Sequence, residues 1–203
     1  MKKVSALLLL AGLTFLFIGG YQWLKLESSQ KNSLAEARDL LDKEGKSVTN
    51  SDETSSNSET NRATTFSPST GETAGILHIP KLNEDLPIVE GTDENELAKG
   101  VGHYQGTAYP LQNDQIVLSG HRDTVFRRMG ELELGDILTV QLPYGDFSYE
   151  IVETKIVDAD DRSVIVPTAP DEVLTLTTCY PFTFVGDAPD RYIISALPVS
   201  EVD

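Results

Sequence analysis

The apolar positions divide the chain into a charge-free run near the N-terminus, a polar stretch and a long region of short apolar runs. The first run extends from Val4 to Gly20 and, with the next four residues, reaches Leu24. As a helix, residues 4–24 span about 30 Å, the thickness of the hydrocarbon core of a bilayer. Lys2 and Lys3 precede the run and favour a cytoplasmic N-terminus. The pattern therefore predicts a membrane anchor over residues 1–24.

A cleaved signal peptide is the alternative interpretation of the same run. Cleavage needs two small residues separated by one position after the apolar segment. Gly19 would pair with Phe17 and Gly20 with Ile18, and neither pair meets that need. An uncleaved anchor is therefore the prediction, and under either interpretation the rest of the chain is exported.

Polar residues dominate positions 25–73. Within Ser33–Lys46, apolar residues recur at helical spacing and predict a short amphipathic helix. Ser47–Thr70 is rich in Ser, Thr, Asn and Glu, and it offers too little apolar surface to offset the entropy lost on ordering. We expect a partly helical and then flexible stalk that separates the anchor from a folded domain.

Residues 74–203 carry short apolar runs that end at Pro or Gly, as is typical of strands joined by tight turns. Such a region predicts a mainly β domain, a barrel or a sandwich, with few and short helices. The predicted strands are Gly75–Ile79, Leu86–Val89, Gln115–Ser119, Asp136–Leu142, Phe147–Val157, Val173–Thr178 and Arg191–Leu197.

The charge and the cysteine count limit the function classes. The chain has 32 acidic and 16 basic residues, a net charge of -16, without the clustered Lys and Arg that nucleic-acid binding requires. Cys179 is the single cysteine, so no intramolecular disulfide can form. A lone thiol on an exported chain is either buried and inert, paired between chains or used in chemistry.

Cys179 ends a β-branched run and stands two residues before Pro181, which places its thiol near the end of a strand. A buried core cysteine is the alternative. A nucleophilic thiol needs a base, and histidine suits that role because its pKa lies near working pH. His121 follows a predicted strand and a glycine, whereas His78 and His103 are expected to be structural.

Acyl transfer also needs a positive charge or hydrogen-bond donors where the oxyanion develops. Arg191 begins the last predicted strand, and Arg122, Arg127 and Arg128 are rivals that these patterns do not rank. One Cys and three scattered His residues give no zinc spacing. The acidic residues at 158–161, 171 and 172 suggest either a weak, stimulatory calcium site or, as the better prediction, a solvated loop.

Three motifs together resemble those of the sortase family. Thr175–Cys179 matches the sortase signature T-L-x-T-C, Leu118–Arg122 resembles the sortase histidine motif, and Arg191–Tyr192 matches the arginine of the last strand. The order His, Cys, Arg also agrees, and the similarity runs from about residue 75 to 197. Further segments are similar to class D sortases of Gram-positive bacilli: Gly100–Tyr104, Phe126–Arg128 and Cys179–Phe182.

The resemblance implies an eight-stranded β-barrel and a cysteine transpeptidase that needs no cofactor. Cys179 would attack the Thr carbonyl of an LPxTG-like sorting signal, His121 would exchange protons with the leaving and incoming amines, and Arg191 would steady the oxyanion. Thr178 and Tyr180, on either side of the cysteine, would contact the substrate. The loop at about 158–171 would form one wall of the substrate groove.

The same resemblance implies the partners and the location. These are secreted proteins with a C-terminal sorting signal, an amine on the lipid-linked peptidoglycan precursor, and the plasma membrane, crossed once by residues 4–24 with the catalytic domain outside. Two rival functions remain: an L,D-transpeptidase or other wall-acting cysteine peptidase, whose S-x-G-C-x-R context is missing around Cys179, and a non-enzymatic, anchored β-domain with an unreactive thiol.

Overall fold

The computed structural model describes residues 2–48, 55–184 and 186–199. In these ranges the chain forms three helices and eight strands. The helices are α1 (Lys2–Val48), α2 (Ser55–Thr65) and α3 (Glu94–Leu97). The strands are β1 (Thr73–Ile79), β2 (Glu84–Glu90), β3 (Val101–His103), β4 (Gln115–Ser119), β5 (Ile137–Leu142), β6 (Gly145–Asp158), β7 (Val173–Tyr180) and β8 (Asp190–Pro198).

The eight strands close into one barrel in the order β1-β2-β3-β4-β7-β8-β6-β5. Two neighbouring pairs are parallel, β2 with β3 and β4 with β7, and the other pairs are antiparallel. The predicted mainly β domain with eight strands is therefore confirmed. Strand β3 was not among the predicted strands, because three residues around a glycine are too few to show a period of two.

Alternate side chains of each strand fill the barrel, since successive residues of a strand point to opposite faces. In the central parts of β4, β7 and β8, the even-numbered residues lie in the core. These are Ile116, Leu118, Leu174, Leu176, Ile194 and Ala196, each exposing at most 1% of its surface. The odd-numbered residues of the three strands therefore face the outside of the barrel, which decides where the candidate site lies.

Helix α1 differs from the sequence expectation, because it is one continuous helix where an anchor and a separate short helix were predicted. Its second half packs on the outside of β1 and β2, where Ser33 and Ala37 are buried. Arg38 donates to Asp85 on β2 at 2.9 Å. In the ranges that the structure describes, no helix has the length and apolar character needed to cross a membrane.

The polar segment before the barrel also differs from the predicted flexible stalk. Residues 49–54 lie outside the described ranges, but α2 and the chain after it lie against the barrel. Ala63 is fully buried, and the Phe66 ring packs edge-on against Tyr109 and Tyr144, with ring centroids 4.9 and 5.2 Å away. The apolar contacts of this docking come from two residues three positions apart, Ala63 and Phe66. The mean hydropathy of the polar stretch does not reveal them.

Candidate active site

Cys179 and Arg191 face each other across β7 and β8. The two residues are direct partners in the antiparallel register, and both occupy odd-numbered positions on the outer face of the barrel. Residues directly opposite in an antiparallel pair project to the same side, with Cβ atoms about 5 Å apart. The strand register thus brings a thiol and a guanidinium together over the outer surface.

His121 reaches the same face from the other side of β7. Strand β4 pairs with β7 in parallel, with Ser119 opposite Thr177, and the Gly120 amide donates to the Thr177 carbonyl at 3.1 Å. His121 follows immediately, level with the end of β7 that carries Cys179. The Phe126 amide donates to the His121 carbonyl at 3.0 Å and holds the turn. All three predicted catalytic residues therefore lie at the ends of adjacent strands, on one face.

Gly120 allows the turn before His121 to lie close to the core. A Cβ atom at this position would meet the buried Phe126 ring at 2.5 Å and the Val125 side chain at 2.8 Å. Any larger residue would push the turn outward and carry His121 with it. The Ser-Gly-His order in the sequence therefore has a steric cause.

The two predicted substrate-binding residues differ in their surroundings. Thr178 occupies an even-numbered position, exposes 3% of its surface, and donates its hydroxyl to the Gly120 carbonyl at 2.7 Å. This hydrogen bond fits a role in joining β7 to the His121 turn better than direct contact with substrate. Tyr180 is half-buried in an aromatic cluster with Phe182 and Tyr192, with ring centroids 5.6 and 6.2 Å away.

The reactive groups of the site remain available. In the described ranges, neither the Cys179 thiol nor the His121 ring makes a hydrogen bond, and both residues are partly exposed. The Arg191 Nη1 atom donates to the Ala188 and Asp190 carbonyls at 3.3 and 3.0 Å. Its Nε and Nη2 atoms make no hydrogen bond with a described residue, so these donors are free to meet an anion.

The loop between β6 and β7, residues 159–172, crosses this outer face and is held by the start of β4. The Gln115 side chain donates to the Val164 carbonyl at 2.8 Å and accepts from the Val166 amide at 2.9 Å. Asp114 accepts from the backbone amides of Gln115, Thr168 and Ala169, and these hydrogen bonds lower the pKa of its carboxyl group. The sequence analysis missed both anchors, because neither residue forms part of a motif.

Two acidic residues of the same loop, Asp161 and Glu172, are engaged in side-chain contacts with the protein. Glu172 accepts from the Tyr149 hydroxyl and from the Leu111 amide, both at 2.7 Å, and Asp161 accepts from the Ser163 amide at 2.8 Å. In the described part of the chain, no group of three or more His, Cys, Asp or Glu side chains is arranged to hold a metal ion.

The structure separates the rival arginines. Arg128 pairs with Glu131 at 2.8 Å and Glu84 at 3.3 Å, and Arg127 donates to the Asp123 carbonyl of its own turn. Arg122 alone among these three reaches across to the loop that follows Cys179, where it donates to the Gly186 carbonyl at 2.7 Å. Two arginines, Arg191 and Arg122, therefore lie at the site.

His78 and His103 have structural partners, as predicted. His78 Nδ1 lies 2.7 Å from Asp85 on the neighbouring strand. His103 is buried beside Glu90, with Nδ1 2.6 Å from the carboxylate. Both residues lie on strands, β1 and β3, that are not neighbours of β7 in the barrel.

Comparison with known proteins identifies the family of the chain and its fold. The sortase domain family matches residues 77–199. Sortase D of Bacillus subtilis is 52% identical over 197 residues, which cover 96% of this chain and 97% of that protein. Sortase SrtE1 of Streptomyces coelicolor is 34% identical over 129 residues, covering 55% of this chain and 37% of that protein.

A solved structure of a Clostridium perfringens Sortase D5 transpeptidase superposes with a TM-score of 0.68 at 25% identity, covering 85% of this chain and 99% of that one. Sortase C of Streptococcus pneumoniae shares the fold, with a TM-score of 0.63 at 19% identity and coverage of 80% and 97%. With the sortase domain extending over most of the barrel and more than half of the residues shared with Sortase D, the chain belongs to the sortase family of cysteine transpeptidases.

Proposed function

We propose that this sortase cleaves an LPxTG-like sorting signal at its Thr carbonyl through Cys179 and transfers the secreted protein to an amine of the lipid-linked peptidoglycan precursor. The observation that carries the proposal is the pairing of Cys179 with Arg191 across two strands, with His121 at the end of the adjoining strand. A nucleophile, an acid–base group and a cation then face the same groove.

The reaction follows from this arrangement. The Cys179 thiolate adds to the Thr carbonyl, and the negative charge that develops on oxygen lies near the unpaired Arg191 donors. His121 gives a proton to the leaving Gly amine as the C–N bond breaks, which leaves a thioester on Cys179. The incoming amine attacks the thioester and loses a proton to His121, and the C–S bond breaks, which forms the new amide and restores the thiolate.

The residues around the site have different proposed roles. The 159–172 loop would contact the sorting signal along the outer faces of β4 and β7, and Tyr180 would contact it at the end of β7, beside Phe182. Thr178 would act indirectly, through its hydrogen bond to the Gly120 carbonyl. Gln115 and Asp114 would keep the loop in place as one wall of the groove.

The acylation test uses an LPxTG-like peptide and mass spectrometry of the intact protein. We expect a covalent adduct on the wild type and none on Cys179→Ala, while His78→Ala, at a histidine outside the site, retains the adduct. An adduct on Cys179→Ala would refute the assignment. Adding a peptidoglycan-type amine should release the peptide as an amide, and release by water alone would argue against transpeptidation.

Thiol labelling separates this function from an anchored binding domain. A small methanethiosulfonate reagent should modify Cys179 in the folded protein, because the thiol is partly exposed and makes no hydrogen bond with the described residues. Absence of labelling would favour the binding domain. An L,D-transpeptidase would instead be acylated by a peptidoglycan stem peptide, which serves as the comparison substrate.

The proposed location is the plasma membrane, with residues 4–24 spanning it, the N-terminus in the cytoplasm and the barrel outside. The apolar sequence supports this, as do the side chains of Leu9, Phe15 and Phe17, each at least 75% exposed to the surroundings. The full chain should sediment with membranes, and protease added to protoplasts should digest the barrel. Recovery of the full chain in the soluble fraction would contradict the anchor.

A further inference from the structure

Arg122 follows His121 directly, yet its side chain binds a different part of the molecule. We propose that Arg122 is a positioning residue for acyl transfer: it holds the β7–β8 loop, residues 181–189, against the His121 turn and so fixes the geometry between His121 and Cys179. The inference rests on the proposed roles of those two residues.

The contacts of Arg122 extend across the loop. Nη2 donates to the Gly186 carbonyl at 2.7 Å, and Nη1 donates to the Pro181 carbonyl at 3.4 Å. The guanidinium also lies over the Phe184 ring, 5.9 Å from its centroid. Pro181 is two residues from Cys179 along the chain. The Arg122 side chain therefore joins the turn that carries His121 to the end of β7 that carries Cys179.

The middle of the loop depends on this contact. The Phe184 amide bonds within the loop, to the Pro181 carbonyl, at 3.1 Å. For the described residues between 183 and 187, the Arg122–Gly186 bond is the one hydrogen bond to another element. The loop leads into β8 and Arg191. Its position therefore affects Arg191 as well as His121, the two proposed partners of the Cys179 thiol.

The acceptors of Arg122 are neutral carbonyls 59 and 64 residues away along the chain, whereas Arg127 bonds to a carbonyl of its own turn. Arg128 is neutralised by Glu131 and Glu84, whereas no carboxylate within the described ranges pairs with Arg122. Hydrogen bonds from a charged donor are stronger than neutral ones, and the planar guanidinium can bind two separated carbonyls at once. A lysine ammonium is a single point charge and can hold one of them.

The test compares Arg122→Ala and Arg122→Lys with a matched control, Arg127→Ala. Arg127 lies in the same exposed turn and donates to the Asp123 carbonyl of that turn. Steady-state kinetics would use an LPxTG-like peptide and an amine, after acylation of the wild type and its loss in Cys179→Ala have been established. That order separates a failure of this inference from a failure of the proposed function.

We expect Arg122→Ala to lower kcat about 10- to 100-fold with KM changed less than about threefold, since small misplacements of reacting groups have effects of this size. Arg122→Lys should recover part of kcat, and Arg127→Ala should match the wild type. Amide hydrogen exchange in residues 182–188 should rise in Arg122→Ala and stay unchanged in Arg127→Ala.

Wild-type kcat in Arg122→Ala, or unchanged exchange in the loop, would overturn the proposal. A loss of kcat that simply follows the unfolded fraction in a thermal melt, with no recovery in Arg122→Lys, would also overturn it. If Arg122→Ala does not fold, Arg122→Lys decides: reduced kcat with faster loop exchange supports the tether, and wild-type values for both refute it.

Discussion

His103 and His121 stand on opposite faces of the barrel wall, and their ring nitrogens have opposite surroundings. His103 Nδ1 lies 2.6 Å from the Glu90 carboxylate, and Nε2 lies 2.9 Å from the Ala108 carbonyl. Its ring stacks on Tyr109 with centroids 4.0 Å apart, and Tyr109 donates to the same Glu90 oxygen at 2.6 Å. The His121 ring makes no hydrogen bond within the described residues.

The difference teaches how to recognise a histidine that is available for chemistry. Both ring nitrogens of His103 have partners in the protein: Nδ1 lies beside the Glu90 carboxylate, and Nε2 lies beside the Ala108 carbonyl and, at 3.2 Å, the Thr107 hydroxyl. Such a ring has no nitrogen left to exchange a proton with a substrate. His121 has both nitrogens free, lies at a strand end and is partly exposed. Unused hydrogen-bonding capacity, rather than burial alone, marks the reactive residue.

The largest expected effect comes from substituting His121. His121→Ala should lower kcat for peptide transfer about 10²- to 10⁴-fold, the range typical of a general acid–base group. The midpoint of thermal unfolding should stay near that of the wild type, because the ring has no partner to lose. His78→Ala serves as the control, with near wild-type kcat. Full activity in His121→Ala would show that the unpaired ring of His121 is not the acid–base group, and the contrast with His103 would not hold.

The buried pair should show the opposite response, a loss of stability. Glu90→Leu removes the carboxylate partner of both His103 and Tyr109, and each buried polar group left without a partner costs about 1–3 kcal/mol of unfolding free energy. The half-exposed pair of His78 and Asp85 is the matched control, since Asp85→Asn should cost about 1 kcal/mol or less. Urea denaturation measures both.

A double substitution sharpens this result. Glu90→Leu with His103→Leu should cost less than the sum of the two single substitutions, because neither side chain is then left buried without the other. Additive costs would show that the two side chains do not interact, and the comparison between the two histidines would lose its basis.

Acid pH should produce the smallest effect. Burial by itself raises the pKa of Glu90, but hydrogen bonds from His103 and Tyr109 outweigh it and leave the pKa below the ordinary 4.5. A carboxyl group with a lowered pKa in the folded state stabilises the protein above its unfolded pKa and loses that contribution as pH falls. The urea midpoint should therefore decrease below about pH 4.5.

Glu90→Gln should reduce this acid dependence, because the amide does not titrate in that range. The measurement is the urea midpoint of both proteins between pH 6 and pH 3. Parallel curves for the two proteins would show that other carboxyl groups account for the acid response.

The sequence predicted the barrel strands well where apolar and polar residues alternate, as in β5 and β7, and where a short apolar run stands between polar residues, as in β4. It missed β3, which is short, and the docking of α2, which depends on Ala63 and Phe66 within a polar stretch. Ala63 and Phe66 gain their contacts only when the barrel is complete. These contacts therefore cannot be predicted from the neighbouring residues in the sequence.

The site was predictable to different degrees. Cys179 stood out as the single thiol, and His121 by its glycine and its strand end. Arg191 was chosen over its rivals by family resemblance, because the register that sets it opposite Cys179 is a property of two strands and their pairing. The inward direction of Thr178 likewise depends on which face of β7 the core covers.

The parallel pairing of β4 with β7 has a consequence for when the enzyme becomes active. The hydrogen bond from Thr178 to Gly120 joins residues 58 positions apart, and contacts of such separation are slow to form during folding. The β7–β8 hairpin can bring the thiol and Arg191 together early, but the base arrives only when β4 docks. We therefore expect acyl transfer to require the completed barrel, since a state in which only the β7–β8 hairpin has formed would hold the nucleophile without its proton carrier.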